Sequence, residues 1–148
     1  KVVYGNILAD ICHAVTADFN KRKIDAGVDY ENVREVVSAD PRIGPAWLNV
    51  EHGNYCGVGG YCFPKDMNAF IKFAENLTGK LSSGKTANNA GSIRSLKKGI
   101  EVLKAVVAYN ETLLGWQGLT IEDVSRHDRD IAVNKRKPIR IHGKSPKK

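Results

Sequence analysis

No stretch of ~18 consecutive apolar residues occurs in this sequence, so no membrane-spanning helix is expected, and no signal peptide is recognisable. Cysteine is scarce: Cys12, Cys56 and Cys62 are the three in 148 residues. So small and odd a number excludes a disulfide-stapled scaffold and points to a reducing, cytoplasmic setting. No Cys-x-x-Cys pair is present. That absence argues against a closed zinc site drawn from His52, Cys56 and Cys62 with Cys12 or His13 as fourth ligand. Strand-like runs are few, and no internal repeat is visible. The first residue is lysine rather than methionine, so the chain is expected to be processed, excised or a fragment.

What is present reads as one soluble globular domain, with 42% hydrophobic and 26% charged residues. The net charge of +7 is unevenly spread. Between Asn134 and Lys148 there are seven basic residues and no acidic one, which leaves 16 basic against 16 acidic residues elsewhere. Such an arm can bind phosphate backbones or another anionic partner, or simply stay solvated. No aromatic residue interrupts it to stack on bases, so a sequence-specific nucleic-acid reader is not expected. Three segments follow: a helical body over 1–118, an extension over 119–133 and a basic tail over 134–148.

The patterning is mainly helical. Val3, Ile7, Ile11, Val15 and Phe19 recur every fourth residue and predict one apolar face of a first helix, in a region ended by Gly27. Asp29 is placed to cap a second helix, with Glu31 in its first turn and Val33, Val36 and Val37 as its apolar side; Asp40-Pro41 closes it. Residues 42–65 carry Gly and Pro at short intervals and read as functional loop. A third helix is predicted from near Asp66, with Ala69, Phe70, Phe73 and Ala74 on it, and residues 78–92 as an exposed connection. Ile93, Leu96, Ile100, Leu103, Val107, Asn110 and Leu114 then mark a long amphipathic helix. Its seam suits either a copy of itself or the other helices. A short helix near Thr120–Val124 completes the pattern.

Three chemistries compete for the glycine-rich segments. GKLSSGKT, residues 79–86, matches the phosphate-loop spacing. That loop works only between a buried strand and a helix whose first amides hold phosphate, and here a helical pattern precedes it. Gly57-Val58-Gly59 begins a dinucleotide fingerprint, but Cys62 occupies the third-glycine position and no strand leads in. A reactive thiol fits GVGGYCFPKD, residues 57–66, better. A lysine and a helix start beside Cys62 favour the thiolate, although a cysteine can also serve a glycine turn structurally.

GGYCFPKD resembles the catalytic-cysteine motif of the UDP-glucose and GDP-mannose 6-dehydrogenases. DPRIGP, residues 40–45, is similar to the Asp-Pro-Arg-Ile-Gly stretch that this family carries shortly before its cysteine. GVDYENVREVV resembles the family's Gly-x-Asp-x-x-x-Val segment, and AVVAYNE, residues 105–111, the end of its long helix. The resemblance runs in the family's order over residues 1 to about 114. It implies a helical central domain, through which these enzymes form homodimers, set between an NAD-binding domain and a nucleotide-sugar domain. The implied reaction is a four-electron oxidation of the sugar's C6 hydroxymethyl to a carboxylate with NAD.

By the same resemblance Cys62 attacks the C6 aldehyde, Asp66 assists water or proton transfer, and Asn6 steadies the oxyanion. Arg42, Trp47, Asn49, Gly57, Gly59 and Gly60 are implied in substrate binding, and Lys65 near the cofactor. No metal is implied. Val2 stands where the family's helix lysine belongs, and Lys1 is one residue early. The loop before Cys62 is longer than the family's usual one, and Val58 replaces an aromatic. An alternative from another class is a non-catalytic helical dimer or scaffold whose basic tail binds nucleic acid or an acidic partner.

Overall fold

The structure is a computed structural model that describes residues 1–52, 55–83 and 90–125. Over these residues the chain is mainly helical, with helices α1 (Val2–Lys21), α2 (Tyr30–Ser38), α3 (Phe63–Ser83), α4 (Ala90–Trp116) and α5 (Ile121–Val124). A small antiparallel hairpin, β1 (Glu51–His52) and β2 (Tyr55–Cys56), pairs Glu51 with Cys56.

The inward side of α1 is made of Gly5, Asn6, Ala9 and Cys12, not of the apolar series read from the sequence. Ile7 and Ile11 are exposed, while Val3, Val15 and Phe19 are half-buried. The reason is geometric. At about 100° per residue each fourth position drifts about 40°, so five such residues spread around the helix instead of sharing one face. Small residues let α1 approach its neighbours closely. A Cβ at Gly5 would lie 3.0 Å from the Tyr30 hydroxyl and 3.2 Å from Leu48 O.

α1 also ends before Gly27. Lys23 adopts a left-handed φ of 58°; its N–H donates to Asn20 O at 3.0 Å and the Ile24 N–H to Phe19 O at 2.9 Å. This is a Schellman closure with lysine in the place glycine usually takes. Asp29 caps α2 as predicted, its carboxylate accepting the Glu31 N–H at 3.0 Å. Buried Tyr30 donates to Leu48 O at 2.6 Å. Ala9, Cys12, Tyr30 and Val50 form the cluster that joins α1 and α2 to the following loop.

α3 starts at Phe63, earlier than Asp66, because a proline in the first turn forfeits only an N–H that has no helical partner there. It runs through Leu77–Ser83, so the connection to α4 is shorter than 78–92. The phosphate-loop pattern begins inside α3, not after a strand, and continues into residues outside the described ones. α3 and α4 pack through Ile71, Ala74 and Ile100, flanked by Met67, Leu96, Leu103 and Val107. Lys104 pairs with Glu75 across them at 2.6 Å.

The short α5 is fixed by a capping box in which the Thr120 hydroxyl accepts the Asp123 N–H and the Asp123 carboxylate accepts the Thr120 N–H. Val124 then closes a third cluster with Leu114 and Tyr55. Among the described residues no helix is long and apolar enough to cross a membrane. Residues 126–148, including the basic stretch from Asn134, lie outside the described residues.

Candidate functional site

Cys62 is exposed and sits immediately before α3, where its backbone carbonyl accepts the Asp66 N–H at 2.9 Å. Its thiol therefore belongs to the N-terminal end of a 21-residue helix, where the helix dipole favours negative charge. Asp66 lies one turn on and pairs with Lys65 at 3.4 Å, both side chains exposed. Cys12 and Cys56 are buried. Burial, with the charges of Glu51 and Asp10 adding to it, pushes the Cys56 thiol up to about 11, and burial also raises Cys12. The two buried thiols are thereby held protonated at neutral pH, and Cys62 is the exposed one.

The glycine loop that delivers Cys62 is held by side chains from the C-terminal part of α4 and the turn just past it. The Val58 N–H donates to Asn110 Oδ1 at 2.6 Å, and Asn110 Nδ2 donates back to Val58 O at 2.9 Å. The Cys56 N–H donates to Gln117 Oε1 at 2.7 Å, with Gln117 Nε2 donating to Cys56 O at 2.9 Å. Beyond them the Gly60 N–H donates to Val124 O at 2.7 Å. Two glycines are needed for these close approaches. Gly57 has φ 115° and a Cβ there would lie 2.8 Å from Asn110 Oδ1; a Cβ on Gly59 would fall on the Tyr55 hydroxyl and 2.8 Å from Val124 O.

An apolar cleft beside the loop is lined by Val3 of α1, Val58, Phe63, Met67, Val107 and Asn110. It brings together the first turn of α1, the glycine loop, the head of α3 and the middle of α4. Asn6, one turn further along α1, is buried, and its Nδ2 donates to Val2 O at 2.9 Å. The ammonium of Lys1 reaches Ile43 O, which ties the start of α1 to the turn over residues 40–44.

None of the predicted site residues, Cys62, Asp66 and Asn6 included, is among those that line the cleft. Arg42 has an 87% exposed side chain clasped by Asp40, with the closest contact at 2.6 Å. The hydrogen bonds from Arg42 hold the Asp40 carboxyl below its ordinary value. Trp47 is exposed at a left-handed φ of 67°, and exposed Asn49 accepts the Glu51 N–H at 3.2 Å. Neither Arg42, Trp47 nor Asn49 lines the cleft. Among the described residues no group of three or more His, Cys, Asp or Glu side chains could hold a metal ion.

Comparison with known proteins decides the family. The model of the "UDP-glucose/GDP-mannose dehydrogenase family, central domain" matches residues 1–90. The chain belongs to this family. A UDP-glucose 6-dehydrogenase of Pseudomonas aeruginosa is 39% identical over 75 residues, covering 51% of this chain and 13% of that protein. UDP-glucose 6-dehydrogenase YwqF of Bacillus subtilis is 30% identical over 118 residues, 78% of this chain and 23% of that protein. A UDP-glucose 6-dehydrogenase of Rickettsia bellii is 32% identical over 76 residues, 51% of this chain and 14% of that protein. The chain thus matches less than a quarter of each relative's length. No solved structure gives a significant match.

The two amides that hold the loop are legible in the sequence to different degrees. Asn110 was visible as the polar member of the α4 seam, a place that suggested pairing between helices. Nothing in its neighbourhood signalled that it would bind a loop 52 residues earlier. Gln117 carried no signal, because an amide just past an amphipathic run is ordinary surface composition.

Proposed function

We propose that this chain is the central domain of a nucleotide-sugar 6-dehydrogenase, with Cys62 as the nucleophile that holds the sugar's C6 carbon. The observation that carries this reading is the exposed Cys62 at the head of α3, with Asp66 one turn on, inside the family's motif. In the proposed sequence Cys62 Sγ adds to the C6 aldehyde carbon, and that carbon stays bonded to sulfur through the second oxidation. Water then attacks it, Asp66 takes the water's proton, the carbon–sulfur bond breaks, and the carboxylate leaves. Asn6, whose Nδ2 already donates to Val2 O, has a second amide hydrogen to offer the oxyanion.

NAD is the hydride acceptor that the family implies. The described residues do not fit it: they build a two-stranded hairpin and no strand–turn–helix cradle for a pyrophosphate. Lys65 is committed to Asp66 and solvent, so its part near the cofactor rests on the family resemblance. The steps assigned here are therefore those of this chain's own side chains, and NAD is proposed to be bound outside the described residues. Trp47 and Asn49, both exposed, are proposed to line the pocket for UDP-glucose or a related nucleotide sugar, and Arg42 to reach that substrate across a subunit boundary. Exposed apolar side chains support that boundary: Tyr4, Ile7 and Ile11 on α1, and Phe70, Phe73, Leu77 and Leu81 on α3. Stripes of this kind on a helical domain mark association surfaces, and a homodimer in a cytoplasmic enzyme is the proposed arrangement. The segmentation into a body over 1–118, an extension and a basic tail is part of this proposal, the tail meeting an anionic partner.

The test is a chimera in which residues 1–90 replace the matched segment of the Pseudomonas aeruginosa UDP-glucose 6-dehydrogenase. The chimera is expected to reduce NAD in the presence of UDP-glucose, and Cys62→Ser within it to lose that turnover. Equal turnover with Cys62→Ser would refute the assignment and favour the scaffold reading.

A further inference from the structure

Cys56 ends β2 and pairs with Glu51 of β1, and both it and Val58, just past the strand, are also hydrogen-bonded by side chains as though a further strand lay beside them. Asn110 gives and takes a hydrogen bond at both backbone groups of Val58, at 2.6 and 2.9 Å. Gln117 does the same for Cys56, at 2.7 and 2.9 Å. In an antiparallel ladder, alternate residues exchange such paired bonds with one partner. Here the partners are Asn110 on α4 and Gln117 in the turn just past its end, seven residues on; positions seven apart return to nearly the same side after two helical turns. A side-chain amide carries donor and acceptor together, so each can satisfy one residue's N–H and C=O at once.

Three further features make this a splint rather than two incidental contacts. Gln117 Nε2 also donates to Leu113 O at 2.7 Å, which fixes that amide to the last turn of α4. Asn110 is buried, so its two bonds form away from competing water. Gly57, between the two held residues, leaves the room that a Cβ 2.8 Å from Asn110 Oδ1 would take. The Gly60 N–H is then anchored on Val124 O at 2.7 Å, and Cys62 follows two residues later at the head of α3. From Cys56 to Gly60 alternate residues are anchored, and the chain has little freedom left when it reaches the thiol.

We propose that Asn110 and Gln117 are positioning residues for Cys62, holding the glycine loop from α4 and the turn just past it so that the thiol keeps its place at the start of α3. This rests on the reading of Cys62 as nucleophile. The amides touch no reacting atom and act through the backbone of Cys56 and Val58. The arrangement also gives the long α4 helix a direct mechanical link to the reacting centre.

The test uses the chain itself with Asn110→Ala and Gln117→Ala, read by backbone hydrogen exchange and by iodoacetamide labelling of Cys62 from pH 6 to 9. Helicity and exchange in the α3–α4 core report whether each variant is folded; if Asn110→Ala is not, Gln117→Ala, one residue past the end of α4, carries the test. Exchange of the Cys56 and Val58 amides is expected to quicken by about tenfold or more while the α3–α4 core stays protected. The Cys62 labelling profile is expected to shift about threefold or more towards that of the unstructured peptide GGYCFPKD. Unchanged exchange at Cys56 and Val58 would overturn the splint. Faster exchange with an unchanged Cys62 profile would leave the amides a structural role only and overturn the positioning claim. Wild-type Cys62 labelling like the peptide would instead sink the nucleophile reading itself, which keeps the two failures distinct.

Discussion

Replacing Gly59 by alanine should destabilise the fold through one crowded point. Gly59 is not at a positive φ, so the backbone conformation itself accepts alanine and the effect is steric. The added Cβ would land on the Tyr55 hydroxyl and come within 2.8 Å of Val124 O and 2.9 Å of Val124 Cβ. Tyr55 and Val124 are both buried in the cluster they share with Leu114, so neither can swing into solvent. Forcing a methyl into a packed site costs about 1–3 kcal/mol. Displacing Val124 also strains the 2.7 Å bond from the Gly60 N–H, worth a further ~1 kcal/mol. Together these give about 2–4 kcal/mol, or a fall in Tm of roughly 5–15 °C for a chain of this size. Calorimetry of wild type and Gly59→Ala under identical conditions reads it. A Tm within about 2 °C of wild type would refute the packing argument, because that shift corresponds to less than the smallest overpacking cost.

Gly57→Ala should also destabilise, since it combines φ 115° with the 2.8 Å approach to Asn110 Oδ1; a urea midpoint equal to wild type would contradict this. Tyr109→Phe removes the 2.6 Å bond to Asp10 that ties α4 to α1, and a loss of about 1–2 kcal/mol in urea unfolding is expected at pH 7. Cys56, raised from an ordinary 9.0 to about 11 in the folded chain, contributes stability that is complete below pH 9 and is lost as pH rises towards 11. Wild type should therefore lose about 1 kcal/mol more than Cys56→Ala between pH 8 and pH 10, measured by urea midpoints. Arg42→Ala should leave Tm within about 1 °C, because an exposed pair contributes little to folding; a large fall would show that Arg42 is structural rather than held out for a ligand.

Local signals were the legible part of the fold. Asp29 and Thr120 cap helices where a short polar side chain precedes an apolar run, and the α4 seam follows its spacing. The seam suits a copy of itself or the other helices, and among the described residues α3 covers its Ile100 side. What escaped reading depends on geometry that a spacing rule compresses. The every-fourth-residue series on α1 drifts around the helix, so Gly5, Ala9 and Cys12 face inward and Ile7 and Ile11 do not. Pro64 looked like a breaker before a helix but lies inside its first turn. The short hairpin over Glu51–Cys56 has two residues in each strand, too few to register as alternation.

At the site, the legible element was the cysteine motif, because glycines, a thiol, a lysine and a carboxylate converge in ten consecutive positions. The support for that motif was not legible. Asn110 and Gln117 are 52 and 61 residues from the backbone groups they hold, and an amide's partner at such separation is set only by the folded packing. The family resemblance puts Trp47 and Asn49 at the sugar-nucleotide pocket and Arg42 at a substrate bound to the partner subunit; neither they nor Cys62 are among the residues that line the cleft. Their common feature is exposure, which suits contact with something beyond this chain.

The most direct test of the account is the rate at which iodoacetamide alkylates Cys62 in the folded chain at pH 7, compared with the peptide GGYCFPKD under the same conditions. A thiol at the head of a long helix should react about tenfold faster than its unstructured counterpart. A rate at or below that of the peptide would mean that the fold does nothing to activate Cys62, and would contradict its assignment as the nucleophile.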